Sequence, residues 1–277
     1  MRDSAKPPGP DLEHEEASAT PFDALAIYEI IRADGERELA RPWSSLWWSG
    51  LAAGIAVTTS VVAQGLLHMA LPDAPWRGAV SSLGYSVGFL LVILGRMQLF
   101  TENTITVILP LMADFSRKAL ARTAKMWGIV LAANLVGVLL AACFAQFVGI
   151  SSQEELAAYR ELGAHVFEKS PFELLVRAIP AGFLVAAIVW MLPNARHFEF
   201  WVIVVFTWLI AFGEMTHVVA SSMEAFLLLF SGDIGFGRMV GGFFLPALVG
   251  NILGGTALFS LLAYAQVKEE IKEGPPK

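Results

Sequence analysis

Three stretches of this chain contain no aspartate, glutamate, lysine or arginine: Pro42 to Pro72, Met126 to Gln153 and Met239 to Val267. Each exceeds the roughly 20 residues that carry a helix across the hydrocarbon core of a bilayer. Lipid offers the backbone no hydrogen bonds, so a spanning segment must satisfy its own N–H and C=O groups. Uncharged runs this long do so as α-helices. Composition agrees, with hydrophobic residues at 56% and charged residues at 16% of the 277. Soluble domains sit at roughly 45–50% and 25%. The chain is therefore read as all-α, a polytopic helical bundle whose first partner is the lipid bilayer. A soluble globular protein, a nucleic-acid binder and a disulfide scaffold are excluded. The formal charge of −6 comes mostly from the tails and one loop and identifies no partner. The single cysteine, Cys143, lies inside an apolar run and reads as a small buried hydrophobe.

The acidic residues Asp11, Glu13, Glu15 and Glu16 leave no apolar stretch for a signal peptide. Residues 1–20 read as a disordered, Pro-rich tail. Thr20 and Pro21 read as a cap and first-turn proline for an amphipathic interfacial helix over 21–41. A six-span membrane domain follows over 42–267, then a cytoplasmic C-terminal tail over 268–277. Four spans are continuous, near 45–71, 126–149, 172–193 and 239–265. Two are interrupted. Gly78 to Gly95 is apolar, Arg96 and Glu102 intervene, and Asn103 to Ala113 is uncharged again. Phe200 to Gly213 is apolar, Glu214, His217 and Glu224 intervene, and Phe226 to Phe230 resumes. The short pieces do not cross alone, so each pair reads as one broken span.

The order long, broken, long, ordinary, broken, long reads as a duplication. Asn134-Leu-Val-Gly137 in the third span matches Asn251-Ile-Leu-Gly254 in the sixth. Repeat one covers about 45–149 and repeat two about 172–265. A three-span unit repeated in tandem enters the membrane the opposite way the second time, and paired broken helices then mark a central site. The basic cluster Arg117, Lys118, Arg122 and Lys125 places both tails in the cytoplasm. The Ser151–Pro171 loop then lies outside, with Ser151 and Glu154 spaced like a capping box.

Helix breaks survive in a membrane only where protein or a water-lined path satisfies the freed backbone. The breaks are Gln98-Leu-Phe-Thr-Glu-Asn-Thr104 and Gly213-Glu-Met-Thr-His-Val-Val-Ala-Ser-Ser222. Thr101, Asn103, Thr216 and Ser221 are placed to cap the half-helices that follow. Two half-helix N-termini facing one point suit a small anion or a small polar solute. His217 is the histidine expected at mid-membrane depth, where an ionisable residue is a functional candidate and can exchange a proton near neutral pH. Arg96 and Glu102 read as an ion pair across the first break. Asn134 and Asn251 read as structural polar residues that bond the freed backbone. There is no nucleotide-binding loop and no metal-spaced His/Cys cluster, so no enzyme activity, cofactor or metal is expected.

The motifs Leu99-Phe-Thr101, Asn134-Leu-Val-Gly137, Trp190-Met191, His217 with Ala220, and Gly250-Asn-Ile-Leu-Gly-Gly255 resemble the formate/nitrite transporter family over residues 22–265. Gln98 to Thr104 looks closest to its YfdC-like branch. The resemblance implies an aquaporin-like protomer in a homopentamer of a bacterial inner membrane. It implies a pore for small monovalent anions such as formate, nitrite or hydrosulfide, with Thr101 and His217 at its centre and no catalytic residues. Phe100 and Ile210 are the candidates for apolar constrictions beside them. The chain departs from the family pattern at Ser221, at Thr216 and Glu214 ahead of the histidine, at Gly182 where an asparagine is usual, and at Glu102. These carboxylates leave a pore for a neutral solute, such as water or ammonia, as an alternative. A non-conducting scaffold is a third.

Overall fold

The computed structural model describes residues 21–273, so the tail expected over 1–20, its Thr20 cap and the last four residues lie outside the described part. The described residues are helical throughout, with no strand. Five helices are long and apolar enough to cross a membrane: α2 (Trp43–Ala70), α3 (Arg77–Leu94), α5 (Arg117–Phe147), α7 (Pro171–Asn194) and α10 (Arg238–Lys272). Three apolar pieces are shorter: α4 (Asn103–Ala113), α8 (Glu199–Phe212) and α9 (Ser222–Ser231). Two amphipathic helices complete the chain, α1 (Ala24–Ala40) before the first long helix and α6 (Gln153–Phe167) between α5 and α7.

Sequence signals set the ends of these helices, with shifts of a residue or a few from the expected positions. The N-cap of α1 is Asp23, whose side chain accepts from the Ala26 N–H at 2.8 Å. The capping box of α6 uses Ser152 and Glu155, one residue beyond the expected pair. The register moves because Ser152 is the residue with extended backbone, the geometry a cap requires. Nor does α1 only skim a membrane surface. Ile27, Tyr28 and Ile31 are buried against Ile105, Leu109, Ala186 and Val267, which ties α1 to α4, α7 and α10.

The long helices cross at small residues. A Cβ on Gly54 of α2 would fall on the Asn134 carbonyl, and one on Gly137 would fall on the Leu51 carbonyl. The second half repeats the arrangement. Gly182 of α7 meets the Asn251 carbonyl, and Gly254 meets the Ile179 carbonyl. Without a hydrophobic drive between helices in lipid, close backbone approach of this kind supplies the packing. It also explains why glycine stands at 182 where the family resemblance led us to expect asparagine. No side chain fits there.

Substituting Gly54 or Gly254 by Leu forces a side chain into backbone, and overpacking typically costs about 1–3 kcal/mol. Both variants should unfold at lower temperature in detergent than the parent. Gly128→Leu, at a site where a Cβ meets nothing within 4 Å, should not. The comparison is a thermal melt of the purified proteins.

Candidate functional site

The chain leaves the helix between α3 and α4 and again between α8 and α9, and the two breaks have the same architecture. Each begins with a glycine, Gly95 or Gly213, that donates to the carbonyl of Leu91 or Leu209. A residue with left-handed backbone follows: Arg96 at φ 54° and Glu214 at φ 49°. Such angles are strained for side chains of this size and cluster at functional sites. A methionine then closes each turn, with Met97 N–H to Val92 O and Met215 N–H to Ile210 O.

Two asparagines satisfy the backbone freed by the breaks. Asn134 Oδ1 accepts from Phe100 N–H at 2.9 Å, and its Nδ2 donates to Gln98 O and Gly50 O, both at 2.8 Å. Asn251 Oδ1 accepts from Val218 N–H at 2.8 Å, and its Nδ2 donates to Thr216 O at 2.9 Å and Ala178 O at 2.8 Å. Both asparagines are fully buried. Each side chain bonds on both sides of one residue in its break, Leu99 in the first and His217 in the second. The duplication therefore aligns His217 with Leu99, and Thr101 lies two residues further along.

The half-helices start without side-chain caps. Asn103 is the first residue of α4, and Glu102 before it makes no capping bond. Ser221 precedes α9 and makes none either. Hydroxyls bond back along the chain instead, Thr104 to Thr101 O at 2.7 Å and Ser222 to Val218 O at 2.6 Å. Thr216 contributes its carbonyl to Asn251 rather than its hydroxyl to a cap. Asn103 donates to Gln98 Oε1 at 3.1 Å, and its carbonyl accepts from Trp127 Nε1 at 3.0 Å. A stretch of π-helix in α10 (Leu253–Ser260) lies against the first half-helix, where Thr256 and Ser260 donate to Thr104 O. Such irregular turns recur at functional sites.

Thr101 and His217 meet. Thr101 Oγ1 is 2.7 Å from His217 Nε2, and neither residue is exposed at all. The Ala220 N–H donates to His217 Nδ1 at 3.2 Å. Nδ1 is thus an acceptor, and the neutral ring carries its hydrogen on Nε2, toward Thr101; this tautomer is inferred from the bonding pattern. A second proton on Nδ1 would have to displace the Ala220 amide. The geometry fits a fixed donor better than the proton exchanger expected from residue type.

Two separate cavities flank the pair. One, termed inner for its place beside α1, of about 340 Å³, is lined by Asp34 and Glu38 of α1, by Arg96, Gln98, Glu102 and Asn103 of the first break, and by Glu199. The outer one, of about 320 Å³, is lined by His68, Tyr85, Glu161, His165 and Lys169 and by Glu214, Thr216, Ser221 and Glu224. Each break thus faces a different vestibule.

One expectation needs correction. Arg96 does not pair with Glu102. Its guanidinium lies 3.9 Å from Asp34 of α1, because the left-handed turn at Arg96 directs it to the mouth, where the side chain is 78% exposed. Phe100 lines neither vestibule. Its ring packs edge-on against Trp127 at 5.5 Å, since Asn134 holds its amide on the far side of the break. The ring that stands against the pair is Phe89, edge-on to His217 at 5.1 Å and tilted against Tyr85 at 5.2 Å. Ile210 is fully buried but borders neither vestibule. The signal for Phe89 was an aromatic pair four residues apart in α3, a spacing that ordinary core packing also produces.

A family model described as Formate/nitrite transporter matches residues 25–265. Over 251 residues the chain is 39% identical to the inner membrane protein YfdC of Escherichia coli (strain K12), covering 91% of this chain and 81% of that protein. In shape it is similar to a solved FNT family ion channel, with TM-score 0.77, 19% identity, and coverage of 87% of this chain and 98% of that one. It is also similar to a pentameric formate channel with formate bound, with TM-score 0.70, 19% identity, and coverage of 82% and 98%. The two structural likenesses concern the fold.

The asparagine clamps have a direct test. Losing one partner of a buried hydrogen bond costs about 1–3 kcal/mol. Asn134→Leu and Asn251→Leu should each lower the melting temperature of the purified protein and increase amide hydrogen exchange in the break it serves. Exchange confined to the opposite break would show that the clamps are assigned the wrong way round.

Proposed function

The chain belongs to the formate/nitrite transporter family, and from this we propose that it is a membrane channel or secondary transporter for small monovalent anions or their conjugate acids. The observation that carries the reading is the Thr101–His217 pair, sealed from water between two vestibules that open from the two breaks. Between the vestibules the polar groups are a hydroxyl and an imidazole N–H, with Phe89 edge-on to the imidazole and no other polar side chain donating into that pair among the described residues. Burial makes a bare charge costly at this point, while a short polar solute keeps a hydrogen bond through the dry segment.

In this reading α3 with α4, and α8 with α9, are the two broken spans of a six-span bundle. The matching bonds of Asn134 and Asn251 support an inverted repeat, with repeat one near 45–149 and repeat two near 172–265. The YfdC relative is an inner membrane protein, which supports a bacterial inner membrane; for both tails in the cytoplasm the support is the basic cluster from Arg117 to Lys125. The pentameric formate channel supports a homopentamer with one pore in each protomer. A second reading, a pore for a neutral solute such as water or ammonia, draws on the carboxylates that line both vestibules.

Two experiments follow. A reporter active only in the cytoplasm, fused after Lys277, should be active; a periplasmic-type reporter active there would overturn the topology. Purified protein in liposomes should admit formate, and His217→Phe should abolish that flux while leaving the assembled oligomer intact. His217→Asn, which keeps a donor, should retain a pore. Undiminished formate flux through His217→Phe would remove the central pair from the mechanism. Water or ammonia flux without formate flux would select the second reading.

A further inference from the structure

Two carboxyl groups stand without an ionic partner, one at each end of the dry segment. Glu102 follows Thr101 directly and lines the inner vestibule. Its Oε1 is buried and has no hydrogen-bond partner among the described residues. Arg96 lines the same vestibule but is directed to Asp34. Glu224 lies in the first turn of α9, at the outer vestibule, and is 8% exposed. The cations near it are engaged elsewhere: Lys169 Nζ is 3.0 Å and Arg177 Nη1 3.8 Å from Glu214. A carboxyl that lines a cavity and makes no salt bridge is free to trade a proton with a solute held there.

We propose that Glu102 and Glu224 are the proton-exchange groups of the pore, each trading a proton with a small carboxylate at its own vestibule, so that the solute passes the Thr101–His217 pair as the neutral acid. The proposal rests on the conduction reading and relocates its proton step. His217 is unsuited to that step, because Nδ1 is occupied by the Ala220 amide. At the inner end the Glu102 O–H bond breaks as an O–H bond forms on the incoming anion. The Glu102 carboxylate then recovers a proton from vestibule water. At the outer end Glu224 first gives its proton to vestibule water; the acid's O–H bond then breaks as an O–H bond re-forms on the Glu224 carboxylate, and the anion leaves. Influx runs the same steps backwards. No oxidant or co-reactant is needed.

Facing Glu102 are Asp34 and Glu38 from α1, Glu199 from α8 and Arg96 from the break. Asp34 is paired with Arg37 and Glu38 with Arg41, so Glu102 and Glu199 are the carboxyls of this vestibule without a salt bridge among the described residues. The Arg96 guanidinium at the mouth is the one positive group there to meet an arriving anion. Facing Glu224 are Tyr85 from α3, His68 from α2, Glu161 and His165 from α6, Lys169 beyond it and Glu214 from the second break. Lys169 serves Glu214, and His68 Nε2 lies 3.6 Å from Glu161.

The test uses the full chain in liposomes with a formate gradient, an internal pH dye and a clamped membrane potential. For the parent protein, formate should enter with one proton, independent of the potential. Glu102→Gln and Glu224→Gln should each slow formate flux at pH 8 by roughly a hundredfold or more, the scale of a lost positioned proton donor. The loss should be smaller at pH 5, where more of the solute is already neutral. Glu102→Asp and Glu224→Asp keep the acid and should recover much of the rate. Parent-like rates and pH profiles in both Gln variants would overturn the proposal and leave the conduction reading standing. Equal loss in the Gln and Asp variants, with the oligomer assembled, would mark a steric role and also overturn it. A parent protein that moves no formate at either pH would remove both readings.

Discussion

The structure turns on keeping interrupted backbone hydrogen-bonded at membrane depth. Each break withdraws several N–H and C=O groups from their helices, and hydrocarbon cannot replace those bonds. Asn134 and Asn251 do so from inside the bundle. Each has one acceptor and two donor positions in use, and each also ties the break to the helix opposite, at Gly50 or Ala178. A single amide side chain thus fixes where a break sits and which long helix lies beside it. The glycines at 54, 137, 182 and 254 follow from the same requirement, since the clamp reaches its targets only if the helices approach to backbone distance.

With the breaks fixed, the chemistry of the centre has little freedom. Holding Gln98 and Phe100 on one side, and Thr216 and Val218 on the other, sets Thr101 and His217 at hydrogen-bond distance. Ala220, in the same break, then selects the imidazole tautomer. The pair is a rigid polar contact in an apolar surround. The carboxyl groups of the breaks stand away from it, in the walls of the two vestibules.

The two halves share a backbone plan but differ in the side chains placed on it. Arg96 and Glu214 hold the same strained turn with opposite charges. Leu99 and His217 hold the same position between the clamp's bonds. The two breaks therefore share a frame, and single-residue differences between them make the two vestibules chemically unlike. Glu102 and Glu224 belong to these differences. Their unpaired state follows from where Arg96 and Lys169 are drawn, to Asp34 and Glu214.

Much of this was legible in the residues alone. Uncharged runs longer than a bilayer core force helices, interrupted runs force breaks, and matched Asn-Leu-Val-Gly and Asn-Ile-Leu-Gly segments reveal the duplication. Those signals are local, or repeat along the chain, and each carries its own physical cause. The partners of Arg96, the ring against His217, the cap of α1 and the tautomer of the imidazole were not legible. Each depends on which groups from distant segments converge. The left-handed turn at residue 96 aims a guanidinium at α1 rather than six residues along. The clamp on Phe100 turns that ring toward Trp127 and leaves Phe89 to face the imidazole. A chain fixes its helices through bonds within reach of each residue. Only the packed bundle decides which side chains are left without partners at its centre, because that depends on what every other element has already taken.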